Sequence, residues 1–413
     1  MLCKICVFDC LELLLVLSLL TPVLIGHPVI LFVIILQPFK NRMFSTKSSA
    51  DLLTTKKHFE VLDGLRGVAA IGVVIFHFME IIIPDPKNNF IAHAYLAVDF
   101  FFCLSGFVIA YAYDNRLEKI GAWQFFKLRL IRLHPLVVIG SILGLLTFIF
   151  DPFSSLFDVY SGKAFLMFVC SCLLIPYPLV QERYFNFFHL NPPTWSLFWE
   201  YVANIFYAFI FVKLRKTALC ILTIIAAILL CSEAYRSGHL SVGWGGDNFT
   251  GGGIRVFYSF LGGMLVYRMN WIIKSKLGFF WLSLLLMIAF FIPFTGKIDY
   301  ITDAVIILFY FPLLIALGAG ARLTSFSHKV CTFSGNISYP LYMVHYPFIW
   351  MFFSYLEQRK PPMNEMILIT CIGVILLIGF AYLVMIKIDI PVRAYLKDKM
   401  NEAAIKKQKA VNM

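Results

Sequence analysis

LDGLRGVAAIGVVIFHF, residues 62–78, decides the class of fold, because an apolar run of membrane-helix length carries an arginine and a histidine. At about 100° per residue, the eleven-residue step from Arg66 to His77 returns to within roughly 20° of its starting direction. The two side chains therefore share one face of a helix, about 16 Å apart along its axis. Ionisable groups are costly inside a bilayer, so two of them on one stripe indicate a chemical role.

The rest of the chain shares this apolar character. Of its 413 residues, 60% are hydrophobic and only 14% are charged, and near-continuous apolar runs recur along the chain. We therefore predict an all-α, polytopic membrane protein with about ten core transmembrane helices and a possible extra N-terminal helix. The predicted spans lie near residues 65–84, 95–113, 133–150, 195–212, 217–232, 254–268, 277–293, 302–319, 334–354 and 365–386.

The net charge of +12 is distributed as in a membrane protein, which argues against a nucleic-acid partner. Lys and Arg form short clusters beside the apolar runs, as they do in cytoplasmic loops near anionic lipid headgroups. About ten spans with both core ends cytoplasmic would place every cluster inside, and we therefore expect a multi-pass membrane protein of this topology. Residues 163–178 are then re-entrant or lie along the outer surface. The surrounding segment 151–194 is rich in aromatics and prolines, which predicts a packed lid.

The chain divides into three parts by composition. Residues 1–57 form an extension with an apolar run, which could be an extra helix, a signal anchor, or a gene-model extension upstream of a start near Met43. Residues 58–390 form the membrane domain, and residues 391–413 form a basic cytoplasmic tail that we expect to be unpacked. The ten cysteines are scattered, mostly in apolar segments, and no metal site is expected.

Three ionisable residues of the first two helices are candidates for chemistry. His77 could take and release a proton near neutral pH, as activation of an alcohol requires, or could be a packing histidine bonded to a carbonyl. Arg66 could grip phosphates or simply anchor the helix, and Gly64 and Gly67 beside it would let a ligand or another helix approach closely. Asp99 could orient His77 or cap a helix start, and the sequence leaves these two roles equal.

Two guanidiniums, Arg129 and Arg132, lie one turn apart in FKLRLIRLHP, just before the third predicted span. They could clamp the phosphates of a nucleotide, or they could form an ordinary cytoplasmic anchor. In the second helix, Ser105 and Gly106 mark a small, polar break in an otherwise apolar run.

Later spans carry further polar residues. Glu200 follows Ser196 by four residues, so both lie on one helical face, and a buried glutamate is costly unless it is paired or functional. Tyr342 and His345 share one face of a helix that is bent by prolines. This second intramembrane histidine indicates a polar, water-accessible core, or equally a structural hydrogen bond.

Five segments in order resemble the acyltransferase-3 family, the integral-membrane acyltransferases that decorate bacterial surface glycans. They are LDGLRGVAAIGVVIFHF, VDFFFCLSGFVIAY, FKLRLIRLHP, PTWSLFWEY and ISYPLYMVHYP, and the likeness covers residues 58 to about 390. The resemblance implies that an acyl group, usually acetyl, moves from cytoplasmic acyl-CoA to a hydroxyl on the far side. Carried over by motif, the Arg-x10-His pair is Arg66 and His77, the Arg-x-x-Arg is Arg129 and Arg132, and the Ser-Gly-Phe is Ser105, Gly106 and Phe107.

These expectations together describe a membrane O-acyltransferase that uses acyl-CoA (acetyl-CoA) without a metal. The expected catalytic residues are His77, Arg66, Asp99, Glu200 and His345, and the expected donor-binding residues are Arg66, Arg129, Arg132, Ser105 and Gly106. His77 would be the general base or, less readily, a transient acyl carrier, while Ser105 or Tyr342 could stabilise the oxyanion.

The expected acceptor is a hydroxyl of a cell-surface or exported glycan, such as a polysaccharide or lipopolysaccharide, or of a glycosylated small molecule. The alternative function is a transporter or flippase for a lipid-linked sugar or small metabolite, in which the intramembrane charges would form a relay or binding site. Such a protein predicts internal repeats with paired broken helices, and the sequence shows none. The acyltransferase is therefore the favoured prediction.

Overall fold

The computed structural model describes residues 59–323 and 325–411, so the predictions for residues 1–57, including a start near Met43, lie outside the described residues. Within those ranges the regular structure is helical, with only two isolated β-bridges. The predicted all-α class is confirmed.

The helices follow the predicted spans in order. They are α1 (Glu60–Ile82), α2 (Ala97–Tyr113), α3 (Ala122–Ile149), α4 (Ala164–Cys172), α5 (Thr194–Phe209), α6 (Lys216–Ser237), α7 (Phe249–Arg268), α8 (Phe279–Phe291), α9 (Asp299–Gly320), α10 (Ser325–Val344), α11 (Tyr346–Arg359), α12 (Met363–Val384) and α13 (Ile390–Val411). Each predicted span falls on one helix, except that the span near 334–354 is divided between α10 and α11.

Six helices of the described residues are long and apolar enough to cross a membrane. They are α1, α2 with the turn before it, α3, α6, α9, and α12 together with α13. The chain is therefore a multi-pass membrane protein. The total of about ten crossings and the orientation stay predictions.

Helix α3 begins at Ala122, well before the start predicted near residue 133. Its basic stretch predicts a loop, yet Phe125 there is fully buried and Pro135 lies inside the helix. The inward face of this stretch carries Phe125, Arg129 and Leu133 at four-residue spacing, and all three are buried, whereas Lys127 and Arg132 are exposed. This earlier start places Arg129 and Arg132 within the helix rather than ahead of it.

Two helix crossings bring neighbouring backbones close together. At Gly67, where α1 crosses α10, an added Cβ would lie 1.9 Å from Ser334 Oγ. At Gly263, where α7 crosses α2, it would lie 1.8 Å from the Cys103 carbonyl oxygen. Small residues permit such approaches between membrane helices. The close approach expected beside Arg66 is thus confirmed, and the element that approaches is a helix.

The basic tail is also helical. The chain leaves α12 through a π-helical turn, Met385–Asp389, and continues directly into α13. Gln124 Nε2 of α3 donates a hydrogen bond to Met400 Sδ at 3.2 Å, so α13 packs beside α3. Up to residue 403 the expectation of an unpacked tail is wrong, because helical hydrogen bonding continues across the π turn and brings Met400 against α3.

The segment between α3 and α5, residues 151–193 and below called the lid, is packed around a buried cation. Arg183 Nη1 donates a hydrogen bond to the His189 carbonyl oxygen at 2.9 Å. The same guanidinium lies 4.8 Å from the ring centroid of Phe148 and 4.9 Å from that of Trp350. Burial, and next the charge of Arg183, lower the pKa of His189 to about 4, so this imidazole is neutral at neutral pH.

Candidate active site

A cavity of about 520 Å³ opens among α1, α2, α3, α5, α10 and α13. The predicted site residues that line it are Arg66, Ser105, Arg129, Arg132 and Glu200. The predicted site residues outside its lining are His77, Asp99, Gly106 and His345. The structure thus gathers most of the expected donor-binding side chains in one place and sets the expected base apart from them.

Glu200 is the centre of a charged contact in this cavity. Its Oε1 accepts a hydrogen bond from Arg129 Nη2 at 2.5 Å and another from Ser105 Oγ at 3.1 Å. Arg129 is only 6% exposed, and a buried guanidinium requires an anionic partner of this kind. Arg129 is therefore a buried, paired cation and not an ordinary surface anchor, and Glu200 is paired, as its burial requires.

The other two predicted arginines differ in their contacts. Arg66 is held by α10, where its Nε donates to Ser338 Oγ and its Nη2 to the Gly335 carbonyl oxygen, each at 2.8 Å. Its Nη1 also lies 3.2 Å from Asp63 Oδ1. Arg132 is exposed, lines the cavity, and makes no hydrogen bond or ion pair with another described residue. Of these guanidiniums, Arg132 is the most available to an incoming anion.

His77 contacts a carboxylate that is missing from the predicted set. Its Nδ1 lies 2.5 Å from Glu80 Oε1. An ionised carboxylate only accepts hydrogen bonds, so in this pairing a neutral imidazole carries its proton on Nδ1 and keeps a lone pair on Nε2. Glu80 follows His77 by three residues, a spacing at which helix side chains meet, and that spacing is the signal by which the sequence could have revealed it.

The two intramembrane histidines lie side by side. His345 is fully buried at the junction of α10 and α11, and its ring stacks on that of His77 with centroids 5.3 Å apart and an interplanar angle of 22°. Its Nδ1 donates to the Leu341 carbonyl oxygen at 3.1 Å, while its Nε2 has no partner among the described residues. Two imidazoles with a free Nε2 can therefore serve proton transfer at this point.

Tyr342 connects the histidine pair with the cavity. It lines the cavity, and its ring centroid lies 6.0 Å from that of His345, so the shared face predicted for these two residues is confirmed. The Tyr342 hydroxyl lies 2.8 Å from Ser196 Oγ, which donates its own proton to the Pro193 carbonyl oxygen at 2.9 Å. The hydroxyls of Tyr342 and Ser105 are therefore already engaged, which weakens their expected role as oxyanion donors.

Residues 59–386 match the acyltransferase-3 family model, described as an acyltransferase domain. The chain belongs to the acyltransferase-3 family. The resemblance carried by the five sequence segments is thereby confirmed across nearly all of the membrane domain. The protein is an acyltransferase, and the family match favours this activity over the transporter or flippase alternative.

This acyltransferase is similar to several bacterial proteins. It is 36% identical over 192 residues to protein 2 in the picA locus of Rhizobium radiobacter, covering 43% of this chain and 96% of that protein. It is 33% identical over 143 residues to the O-acetyltransferase OatA of Staphylococcus aureus, covering 33% of this chain and 22% of OatA. A putative O-acetyltransferase of Staphylococcus aureus is 24% identical over 339 residues, covering 73% of this chain and 52% of that protein. No solved structure matches the chain.

In the acyltransferase, His77 Nδ1 pairs with Glu80, and no hydrogen bond among the described residues joins His77 to Asp99. The Asp99 carboxylate instead binds Arg255, with Nη2 to Oδ2 at 2.5 Å and Nε to Oδ1 at 3.2 Å. Both side chains are almost completely buried, and no side-chain cap bond forms at the start of α2. Asp99 pairs with Arg255 because a buried guanidinium without an anion would strongly destabilise the fold. The sequence shows Arg255 only as one charge in an apolar run.

Ser105 and Gly106 are both expected to contact the donor, and the structure places them in different surroundings. Helix α2 runs without a break through both residues. Ser105 lines the cavity, whereas Gly106 faces α7, where an added Cβ would lie 2.0 Å from the Phe260 carbonyl oxygen. Gly106 is thus a packing residue rather than a donor contact. Among the described residues, no group of three or more His, Cys, Asp and Glu side chains is placed to hold a metal ion.

Proposed function

We propose that this acyltransferase moves an acyl group, most simply acetyl, from acyl-CoA to a hydroxyl of a cell-surface or exported glycan or of a glycosylated small molecule. The observation that carries the proposal is the Glu80–His77 pair, stacked on His345 and connected through Tyr342 to an arginine-lined cavity. The names of the Staphylococcus aureus relatives support an acetyl group and an oxygen acceptor.

In the proposed reaction His77 is the general base. Glu80 accepts the hydrogen bond of the Nδ1 proton, which leaves the His77 Nε2 lone pair to remove the proton of the acceptor hydroxyl. The acceptor oxygen attacks the thioester carbonyl carbon, a new ester C–O bond forms, and the C–S bond breaks. The departing thiolate takes the proton back from His77 Nε2, so free CoA leaves and the base is restored.

The cavity is the proposed site for the donor. Arg66 and Arg132 would contact its phosphates, with Arg129 held in place by Glu200 beside them. The expected axial separation of about 16 Å between Arg66 and His77 is comparable to an extended pantetheine arm. The thioester would then arrive near the histidines while the nucleotide stays at the arginines.

The acceptor would approach from the side of the lid. The exposed ring of Tyr184 in the lid packs edge-on against Phe353 of α11, with centroids 6.1 Å apart, so aromatic surface is available there for a sugar. In this arrangement the protein would lie in the bacterial inner membrane with both ends of its membrane domain on the cytoplasmic side. The glycan, including any polysaccharide or lipopolysaccharide, would then lie outside.

The test measures ester-linked acetyl on surface glycans by NMR, together with acetyl-CoA turnover by purified protein. We expect His77→Gln to lower transfer by about 10²- to 10⁴-fold, because the general base is lost. Glu80→Gln should also lower it, by up to about 10⁴-fold, because the amide N–H can donate to His77 Nδ1 and leave the ring proton on Nε2, where it blocks the base. His134→Gln is the matched control, since this histidine lies in α3 outside the cavity lining.

Two outcomes would contradict the proposal. Full transfer by His77→Gln at equal expression would show that His77 is not the base. If wild-type protein neither acetylates glycans nor turns over acetyl-CoA, the proposed donor is wrong.

A further inference from the structure

The π turn and the C-terminal helix α13 each supply one residue to the cavity, and both residues lie beyond the family match, which ends at residue 386. Asp389 closes the π turn and Arg393 lies one helical turn later in α13, and both line the cavity together with Arg132. Arg393 Nη2 lies 2.5 Å from Asp389 Oδ2, with Arg393 36% exposed and Asp389 only 2% exposed. Neither residue belongs to the motifs through which the family was predicted.

The Asp389 carboxylate lines the same end of the cavity as the guanidinium groups of Arg393 and Arg132. Asp389 interacts electrostatically with both Arg393 and Arg132, and its Oδ1 has no hydrogen-bond partner among the described residues. Arg132 makes no ion pair within 4.0 Å among the described residues, whereas Arg66 and Arg129 pair with Asp63 and Glu200. The unpaired Arg132 and the partly exposed Arg393 therefore line one end of the cavity together, and a phosphate with up to two charges fits both guanidiniums better than the single carboxylate does.

We propose that Arg393 and Arg132 form a phosphate-binding subsite for the nucleotide end of the donor, and that Asp389 takes the place of the phosphate when the subsite is empty. The proposal rests on the proposed function for its choice of donor. Guanidiniums bind phosphate through paired N–H groups, and these two come from the adjacent helices α3 and α13. The π turn beneath Asp389 is a wide helical turn of the kind often found at functional sites.

The first measurement is binding of adenosine 3′,5′-bisphosphate to purified protein in phospholipid-free detergent, by calorimetry. We expect Arg393→Gln to raise the Kd about tenfold, because a charged bidentate partner is lost. Lys399→Gln is the matched control, since it removes one positive charge from the same helix at an exposed position. Asp389→Asn should lower the Kd, because the competing charge is gone, whereas a merely structural Asp389 would give no tighter binding.

The second measurement separates this inference from the proposed function. For acetyl-CoA, Arg393→Gln should raise KM about tenfold and leave kcat nearly unchanged, while an acetylated pantetheine without the nucleotide should show no difference between the proteins. Equal Kd values for wild type and Arg393→Gln would overturn the subsite, even where wild type transfers acetyl groups. A loss of bisphosphate binding in Arg393→Gln would uphold it, even where acetyl transfer fails and the proposed function with it.

A lipid headgroup carries the same phosphate chemistry, and a third arm distinguishes that source. Wild type and Arg393→Gln are compared for binding to phosphatidylglycerol micelles. If Arg393→Gln loses the micelles but keeps the bisphosphate, the nucleotide assignment is overturned in favour of a lipid.

Discussion

At the scale of single residues, buried charges of this membrane domain are held by partners on other helices. Asp99 of α2 meets Arg255 of α7, and Glu200 of α5 meets Arg129 of α3. Removing one member of such a pair leaves a charge in a medium that solvates it poorly, which costs more than the pair itself contributes. These contacts therefore specify which helices lie together.

Asp99→Asn tests this at the pair between Asp99 and Arg255. We expect it to lower the free energy of unfolding by about 3–5 kcal/mol, because Arg255 would stay buried without its anion. Thermal unfolding in detergent micelles measures the effect. The double variant Asp99→Asn/Arg255→Gln should recover part of the loss. If the Asp99→Asn variant keeps its stability but loses acyl transfer, Asp99 has a catalytic role instead.

The sequence identifies which residues are ionisable and which face of a helix they occupy, but not the helix opposite. Arg66, His77 and Glu200 were recognisable because each is a costly charge in an apolar run. Glu80 was recognisable by its spacing from His77, whereas Arg255 as the partner of Asp99 depends on a contact between helices far apart in the chain. Pairing across helices is a tertiary property, and helical periodicity does not encode it.

At the scale of helices, the hydropathy of the sequence predicted the presence of each helix better than it predicted the residues at which the helix begins and ends. Helix α3 starts early because one face of its first turns packs inward although the stretch is basic, and that face includes the buried Arg129, which Glu200 pairs. The predicted span near 334–354 divides at His345, between the prolines that bend this region. Continuity of a helix depends on backbone hydrogen bonds, so a basic stretch neither starts nor ends it by composition alone.

The α2–α7 crossing gives a prediction at this scale. Gly263→Ala should destabilise the protein by about 1–3 kcal/mol or more, because the new methyl would meet the Cys103 carbonyl oxygen at 1.8 Å. Gly379→Ala in α12 is the matched control, since no described atom lies within 4 Å of its added Cβ. The control should be neutral or stabilising, as alanine favours helix over glycine. Equal unfolding temperatures for the two variants would contradict the close crossing.

At the scale of the whole molecule, charge and hydropathy agree on a polytopic chain, and the orientation remains a prediction. Membrane-impermeant maleimide on intact cells can test it at two open glycines, each without a described atom within 4 Å. Gly162→Cys in the lid should be labelled above the wild-type background from outside. Gly278→Cys, ahead of α8, should be labelled only after permeabilisation, because basic loops stay cytoplasmic. The reverse pattern would invert the topology and move the acceptor to the other side.

Three arginines of the cavity already hold a carboxylate of the same chain: Arg66, Arg129 and Arg393. A phosphate that binds these arginines therefore replaces a carboxylate of the protein and does not bind to unpaired positive charges. Dissolved salt screens exposed charges far more than buried pairs. Donor affinity should therefore depend on ionic strength chiefly through Arg132 and the partly exposed Arg66 and Arg393, whereas the contribution of the buried Arg129 should stay nearly constant while the salt content of the cell rises and falls.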